Sequence, residues 1–156
     1  MESRIELLKA KKLVGICMKM SLSNNKTSEL WQQFMHRRSE VKNRLTAEFI
    51  SMQKYPVNWN FSQDTLFEKW ATVEVSSFTD VPANMGTYVL QGGKYAVFIH
   101  HGPASAAAKT MKYIFGQWLP KFEYRLADRE HFEILPGDYN PVDPNASEEI
   151  WVPIKN

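Results

Sequence analysis

The strongest constraint on this chain is that it contains the same unit twice. Leu8-Lys9-Ala10-Lys11-Lys12-Leu13-Val14-Gly15-Ile16-Cys17 and Leu90-Gln91-Gly92-Gly93-Lys94-Tyr95-Ala96-Val97-Phe98-Ile99 share one pattern at an offset of 82 residues. Each is a pair of apolar segments broken by a short polar or glycine turn, and self-similarity at a fixed offset marks a repeated structural unit. Gly92-Gly93 predicts a two-residue hairpin turn, since both glycines can take positive φ, whereas Ala10-Lys11 fits such a turn less well. An amphipathic helix follows each pair. Leu30, Phe34, Arg37 and Val41 recur at helical spacing after the capping run Asn25-Lys26-Thr27-Ser28. Ala107, Met111, Ile114 and Trp118 do so between Pro103 and Pro120. The helices are expected near residues 27–41 and 104–119.

Two further strands follow each helix: Phe49 to Tyr55 and Lys69 to Val75 in the first half, Phe132 to Leu135 and Glu149 to Ile154 in the second. Their connections are rich in Pro, Asn and Asp, as turns require. The fold expected is α/β of the α+β kind, a single domain over residues 1–156 with modules at about 1–78 and 85–156. Two pseudo-twofold-related strand-helix-hairpin modules with antiparallel sheets would form a central ligand cleft, with helices on the outer faces.

Composition narrows the function. An apolar share of 44% with 13% aromatics excludes a disordered chain. The 19 basic and 17 acidic side chains are interspersed, leaving a net charge of +2 and no electrostatic footprint for direct nucleic-acid binding. The basic run His36-Arg37-Arg38 falls at a helix C-terminus, where cations favour the dipole. Cys17 is the only cysteine, which excludes an internal disulfide and a thiolate cluster, and its apolar setting predicts a buried, inert thiol. No apolar run is long enough for a membrane span and no signal core is evident, so a cytoplasmic protein is expected. His100-His101 are adjacent in a strand and point to opposite faces, with no spaced partner, so no metal site is assigned. Gly92-Gly93 lacks the context of a phosphate loop and no nucleophile elbow occurs, so no cofactor is expected.

Several stretches then carry a resemblance: Lys12-Leu13-Val14-Gly15, Glu29 to Phe34, Gly93 to Pro103, Ile114 to Pro120, His131-Phe132-Glu133 and Glu149 to Lys155. Their order and spacing over roughly residues 9–155 resemble the GyrI-like, or AraC effector-binding, family. The resemblance implies two pseudo-symmetric modules around an aromatic-lined cleft in which a buried glutamate receives large hydrophobic, often cationic, compounds. Many relatives add a helix-turn-helix segment. None is evident here, so transcriptional control by this polypeptide alone is not expected, and any regulatory output would pass through a partner.

Strand alternation gives candidate ligand residues. Glu149 and Trp151 share one face of the last strand, and Glu133 and Leu135 share one face of its hairpin partner. These mixed sets are expected on the cleft face, the apolar sets under the helix. Trp151 reads equally as core. Trp118 lies on the helical stripe and so reads as core, while the resemblance implies that its ring edges the cleft. Tyr95 and Tyr88 offer an apolar body with a polar tip, and sequence does not fix which way they face. The function expected is binding of a hydrophobic or cationic small molecule. One alternative is hydrolysis of reactive electrophiles, with Glu149 or Glu133 as general base. Another, implied by the resemblance, is a protein-interaction role, since the family's namesake restrains DNA gyrase.

Overall fold

Each half of the chain supplies one half of a single antiparallel sheet, joined at the middle. The computed structural model describes all 156 residues. Its strands are β1 (Ser3–Leu8), β2 (Lys11–Met20), β3 (Phe49–Lys54), β4 (Phe67–Val75), β5 (Gly86–Leu90), β6 (Gly93–His101), β7 (Arg125–Leu126), β8 (His131–Leu135) and β9 (Ser147–Lys155). The order is β1-β6-β9-β8-β3-β4-β2-β5, with β7 pairing beside β9. Helix α1 (Thr27–Arg37) runs into a 3₁₀ turn at Arg38–Glu40. The second helical stretch comprises a 3₁₀ turn, α2 (Ala107–Tyr113), a π turn at Ile114–Trp118 and a last turn, α3 (Leu119–Lys121). Pro120 sits inside that last turn rather than ending the helix before it. The wide π turn precedes it, and proline is tolerated in a first turn because its missing N–H has no intrahelical partner there.

The repeat is real, but its opening strands are not hairpins. β1 pairs with β6, and β5 pairs with β2, so each module lends its first strand to the other. The register runs through the break: Leu8 faces Gly93 and Lys11 faces Leu90. The two bent strands therefore cross at the pseudo-twofold. Glycine is needed there for close approach, since a Cβ on Gly92 would stand 2.5 Å from the Leu8 carbonyl oxygen. The second crossing of the axis lies between β3 and β8, where Ser51 faces Glu133.

Both helices lie on one face of this sheet. Leu30 and Phe34 of α1 are fully buried against Val14, Met20, Phe49, Ala71 and Val73. Ile114 and Trp118 pack on Ala96, Phe98, Ile150 and Val152. Burying such side chains stabilises by about 1.5–3 kcal/mol each. The other face closes on a core drawn from both modules, including Leu13, Ile50, Met52, Trp70, Tyr95, Phe132 and Trp151. Since α1 covers β2 and β4 while the second helical stretch covers β6 and β9, the central strands β3 and β8 form the floor of a trough between them. No helix is long and apolar enough to cross a membrane.

Candidate functional site

The trough floor is polar where a core would be apolar. Alternation along β3 and β8 turns Ser51, Gln53, His131 and Glu133 to the helix side, in the pairs Ser51–Glu133 and Gln53–His131. Gln53 Nε2 donates to Glu133 Oε1 at 3.3 Å, and no cationic side chain forms an ion pair with this carboxylate. Glu133 is half-buried, keeping a little accessible surface while protein packs closely around it, as at the bottom of a concavity. Burial pushes its pKa from 4.5 up to about 7; Glu148 adds to the rise, while Lys69 and the Gln53 hydrogen bond oppose it. Glu148, on the same face of β9, is likewise raised by burial, against the pull of Tyr139, His100 and Lys69. His131 is held down to about 3 by burial, so its imidazole is uncharged at any working pH. Glu133 is therefore a group of this trough that titrates near neutrality.

Aromatic rings roof this end of the trough. Trp59 stacks on Tyr55 at 3.7 Å between centroids and lies 4.4 Å from Phe61, which in turn meets Phe115 at 4.9 Å. Tyr55 and Trp59 both set an edge against His131, at 5.0 and 6.4 Å. Trp59 and Phe61 come from the β3–β4 connection, whose Asn58 and Phe61 have φ of 61° and 66°. A left-handed phenylalanine costs roughly 1–2 kcal/mol, and the buried Trp59 Nε1 has no hydrogen-bond partner. Two open grooves lie elsewhere. One, of about 460 Å³, follows the outer side of α1 by Gln32, Gln33 and His36 and has a single apolar residue. The other, of about 260 Å³, lies by Leu66 and Phe67 and shares Tyr55 with the roof.

The residues expected from sequence divide between the two faces. Glu133 is on the trough floor, and Leu135 on the same face joins the α1 core beside Phe49. The expectation that Glu149 and Trp151 share that face is corrected by the register, which sets Glu133 against Ile150 and Phe132 against Trp151. A one-residue change of register exchanges the faces of a strand. Glu149 instead accepts from Arg4 Nη2 at 2.9 Å and from Trp151 Nε1 at 3.0 Å. Trp151 stacks on Phe132 at 5.1 Å in the opposite core. Tyr95 and Tyr88 stand on that face as well, donating to the Glu130 carbonyl oxygen and to Glu130 Oε2 at 2.8 and 2.7 Å. Trp118 is buried edge-on to Phe98, under the second helical stretch. Sequence reasoning passed over Gln53, Tyr55, Trp59, Phe61, Phe115, His131 and Glu148. The cluster Trp59-Asn60-Phe61 in a polar loop was a usable signal, since exposed turns seldom carry two large aromatics without a surface to cover.

The trough between two pseudo-symmetric modules holds two carboxylates, Glu133 and Glu148. The model of the GyrI-like small molecule binding domain matches residues 1–155. The chain belongs to that family. It is 26% identical over 158 residues to the transcriptional regulator BrlR of Pseudomonas aeruginosa, covering 99% of this chain and 56% of that protein. This GyrI-like chain thus spans about half the length of that relative. Among solved structures, SAV2435 bound to tetraphenylphosphonium superposes with a TM-score of 0.75 at 17% identity, over 100% of this chain and 95% of that one. The EcmrR C-terminal domain gives 0.74 at 13% identity, over 99% and 98%. A hydrolase encoded by lin2189 from Listeria innocua gives 0.61 at 13%, over 99% and 92%. At such identities these likenesses establish the GyrI-like fold alone.

Proposed function

We propose that this GyrI-like domain acts in the cytoplasm as a receptor for bulky aromatic cations, bound in the trough with Glu133 as the charge-reading group. The observation that carries the reading is a carboxylate held half-buried without a counter-ion, two residues along β8 from His131, whose ring meets Tyr55, Trp59 and Phe115. Ionising Glu133 there is costly, and a cation seated beside it removes the cost. The faces of Tyr55, Trp59, Phe61 and Phe115 offer apolar area and attract positive charge without demanding one shape. The strained loop and the orphaned Trp59 Nε1 favour replacement of the Trp59 ring by a ligand ring. SAV2435 is bound to tetraphenylphosphonium in its structure, which supports that cation as a probe.

Calorimetric titration at pH 8 tests this. Glu133→Gln should weaken tetraphenylphosphonium binding by about 1.5–3 kcal/mol, the Coulomb energy of unit charges roughly 6–10 Å apart at an effective dielectric of about 20, or roughly 10- to 150-fold. Neutral triphenylphosphine oxide should lose no more than about twofold, since shape is retained and only charge is removed. Glu149→Gln, whose carboxylate is already paired with Arg4 on the opposite face, should leave both affinities alone. Equal losses for the two probes in Glu133→Gln would sink the assignment.

One observation favours a second reading. A carboxyl that titrates near 7 in a partly dry trough is suited to act as a general base. Hydrolysis of a strained or ester-bearing aromatic would then release product beyond one equivalent, falling roughly 10²–10⁴-fold in Glu133→Gln. A compound retained but returned unchanged argues for the receptor.

A further inference from the structure

The pseudo-twofold makes the trough electrically asymmetric. Ser51 and Glu133 face each other at the axis. To one side runs the row Lys69–Gln53–His131. To the other runs the row Phe49–Leu135, whose next step across β8–β9 is Glu148. Lys69 of β4 and Glu148 of β9 therefore hold equivalent places in the two modules, with opposite charge. Strand spacing sets their backbones on the order of 15–20 Å apart along a diagonal that passes Glu133.

Lys69 is half-buried and forms neither an ion pair nor a side-chain hydrogen bond. Its charge nevertheless acts on both Glu133 and Glu148, so the ammonium faces the space between them without closing onto either. The other polar groups toward that space are Gln53, the uncharged His131, and Tyr55, Tyr139 and His100. A simple monocation entering this space satisfies the carboxylates but leaves Lys69 unpaired and repelling it.

We infer that the trough prefers elongated aromatic ligands carrying an acidic group as well as a basic one, with Lys69 receiving the acid and Glu133 and Glu148 the base. The inference rests on reading the trough as the ligand site and adds to it the class of ligand. Selectivity follows from a repulsive element working with an attractive one. Lys69 disfavours compounds that bring only positive charge, and each end of an amphoteric ligand finds its complement.

Rhodamine B, a zwitterion at pH 8, and its ethyl ester, a monocation with the same rings, test this by fluorescence anisotropy. The wild-type chain should bind rhodamine B several-fold more tightly than the ester. Lys69→Gln should weaken rhodamine B about tenfold, as expected for a lost charge-assisted contact, while the ester binds as well or better. Lys69→Arg should keep the wild-type preference. Unchanged melting temperatures would show that both variants are folded. Equal affinities of the two dyes for the wild-type chain, or equal losses in Lys69→Gln, would overturn this inference and leave the trough reading standing. If neither dye binds the wild-type chain and tetraphenylphosphonium also fails to bind, both fall.

Discussion

Glu133→Gln is expected to stabilise the protein at pH 8 and to leave its stability unchanged at pH 4.5. The folded pKa of about 7 lies above the ordinary 4.5, so the native state keeps a proton that the unfolded chain has already lost between those values. Stability therefore falls as pH rises through this window, and the full penalty is present above about pH 7. Glutamine carries no charge and avoids it. The shift corresponds to roughly 2–3 kcal/mol once the carboxylate's remaining accessibility is allowed for. In a domain of this size that raises the melting temperature by about 5–10 °C at pH 8. Thermal melts at pH 4.5, 6 and 8 measure it, and a gap that stays constant with pH would show that Glu133 is not the strained carboxylate.

Gly15→Ala acts in the opposite direction. Gly15 lies between Thr72 on β4 and Gly86 on β5, and a Cβ there would stand 1.9 Å from the Ala71 carbonyl oxygen and 2.8 Å from Thr72 Cα. Both obstacles are backbone in a central ladder, so neither can rotate aside. A loss of more than about 4 kcal/mol is expected, a large part of an ordinary domain's stability. Urea unfolding should show the midpoint fall by about 2 M, or no folded protein at all. A midpoint within about 0.5 M of the wild type would mean that β2 and β4 are not packed this closely.

Much of the fold is legible in the sequence because its signals are periodic. The stripe Leu30–Phe34 and the stripe Met111–Ile114–Trp118 depend only on residues three or four apart. The repeat of Leu8–Cys17 in Leu90–Ile99 fixes the pseudo-twofold. Pairing is less legible, because it depends on distant residues. A two-residue break such as Gly92-Gly93 serves a hairpin or a bent strand equally well, and only contact with Leu8 decides. The site was half legible for the same reason. Alternation places Glu133 with Leu135 and Glu149 with Trp151, but which pairs share a face depends on whether Glu133 meets Ile150 or Glu149 across the ladder. The observed register puts Glu148, the neighbour of Glu149, on the trough side. The aromatic roof was hidden because Trp59 and Phe61 belong to an irregular loop with no period to read.

The charge-reading role of Glu133 is tested most directly by titrating its carboxyl carbon by NMR in ¹³C-labelled protein, with and without saturating tetraphenylphosphonium. The free protein should show an apparent pKa near 7, and bound cation should lower it by at least one pH unit. Linkage then requires the cation to bind about tenfold more tightly above the transition than below it. A Glu133 carboxyl that titrates at 4.5 in the free protein, or at the same pH with and without the cation, would contradict the account.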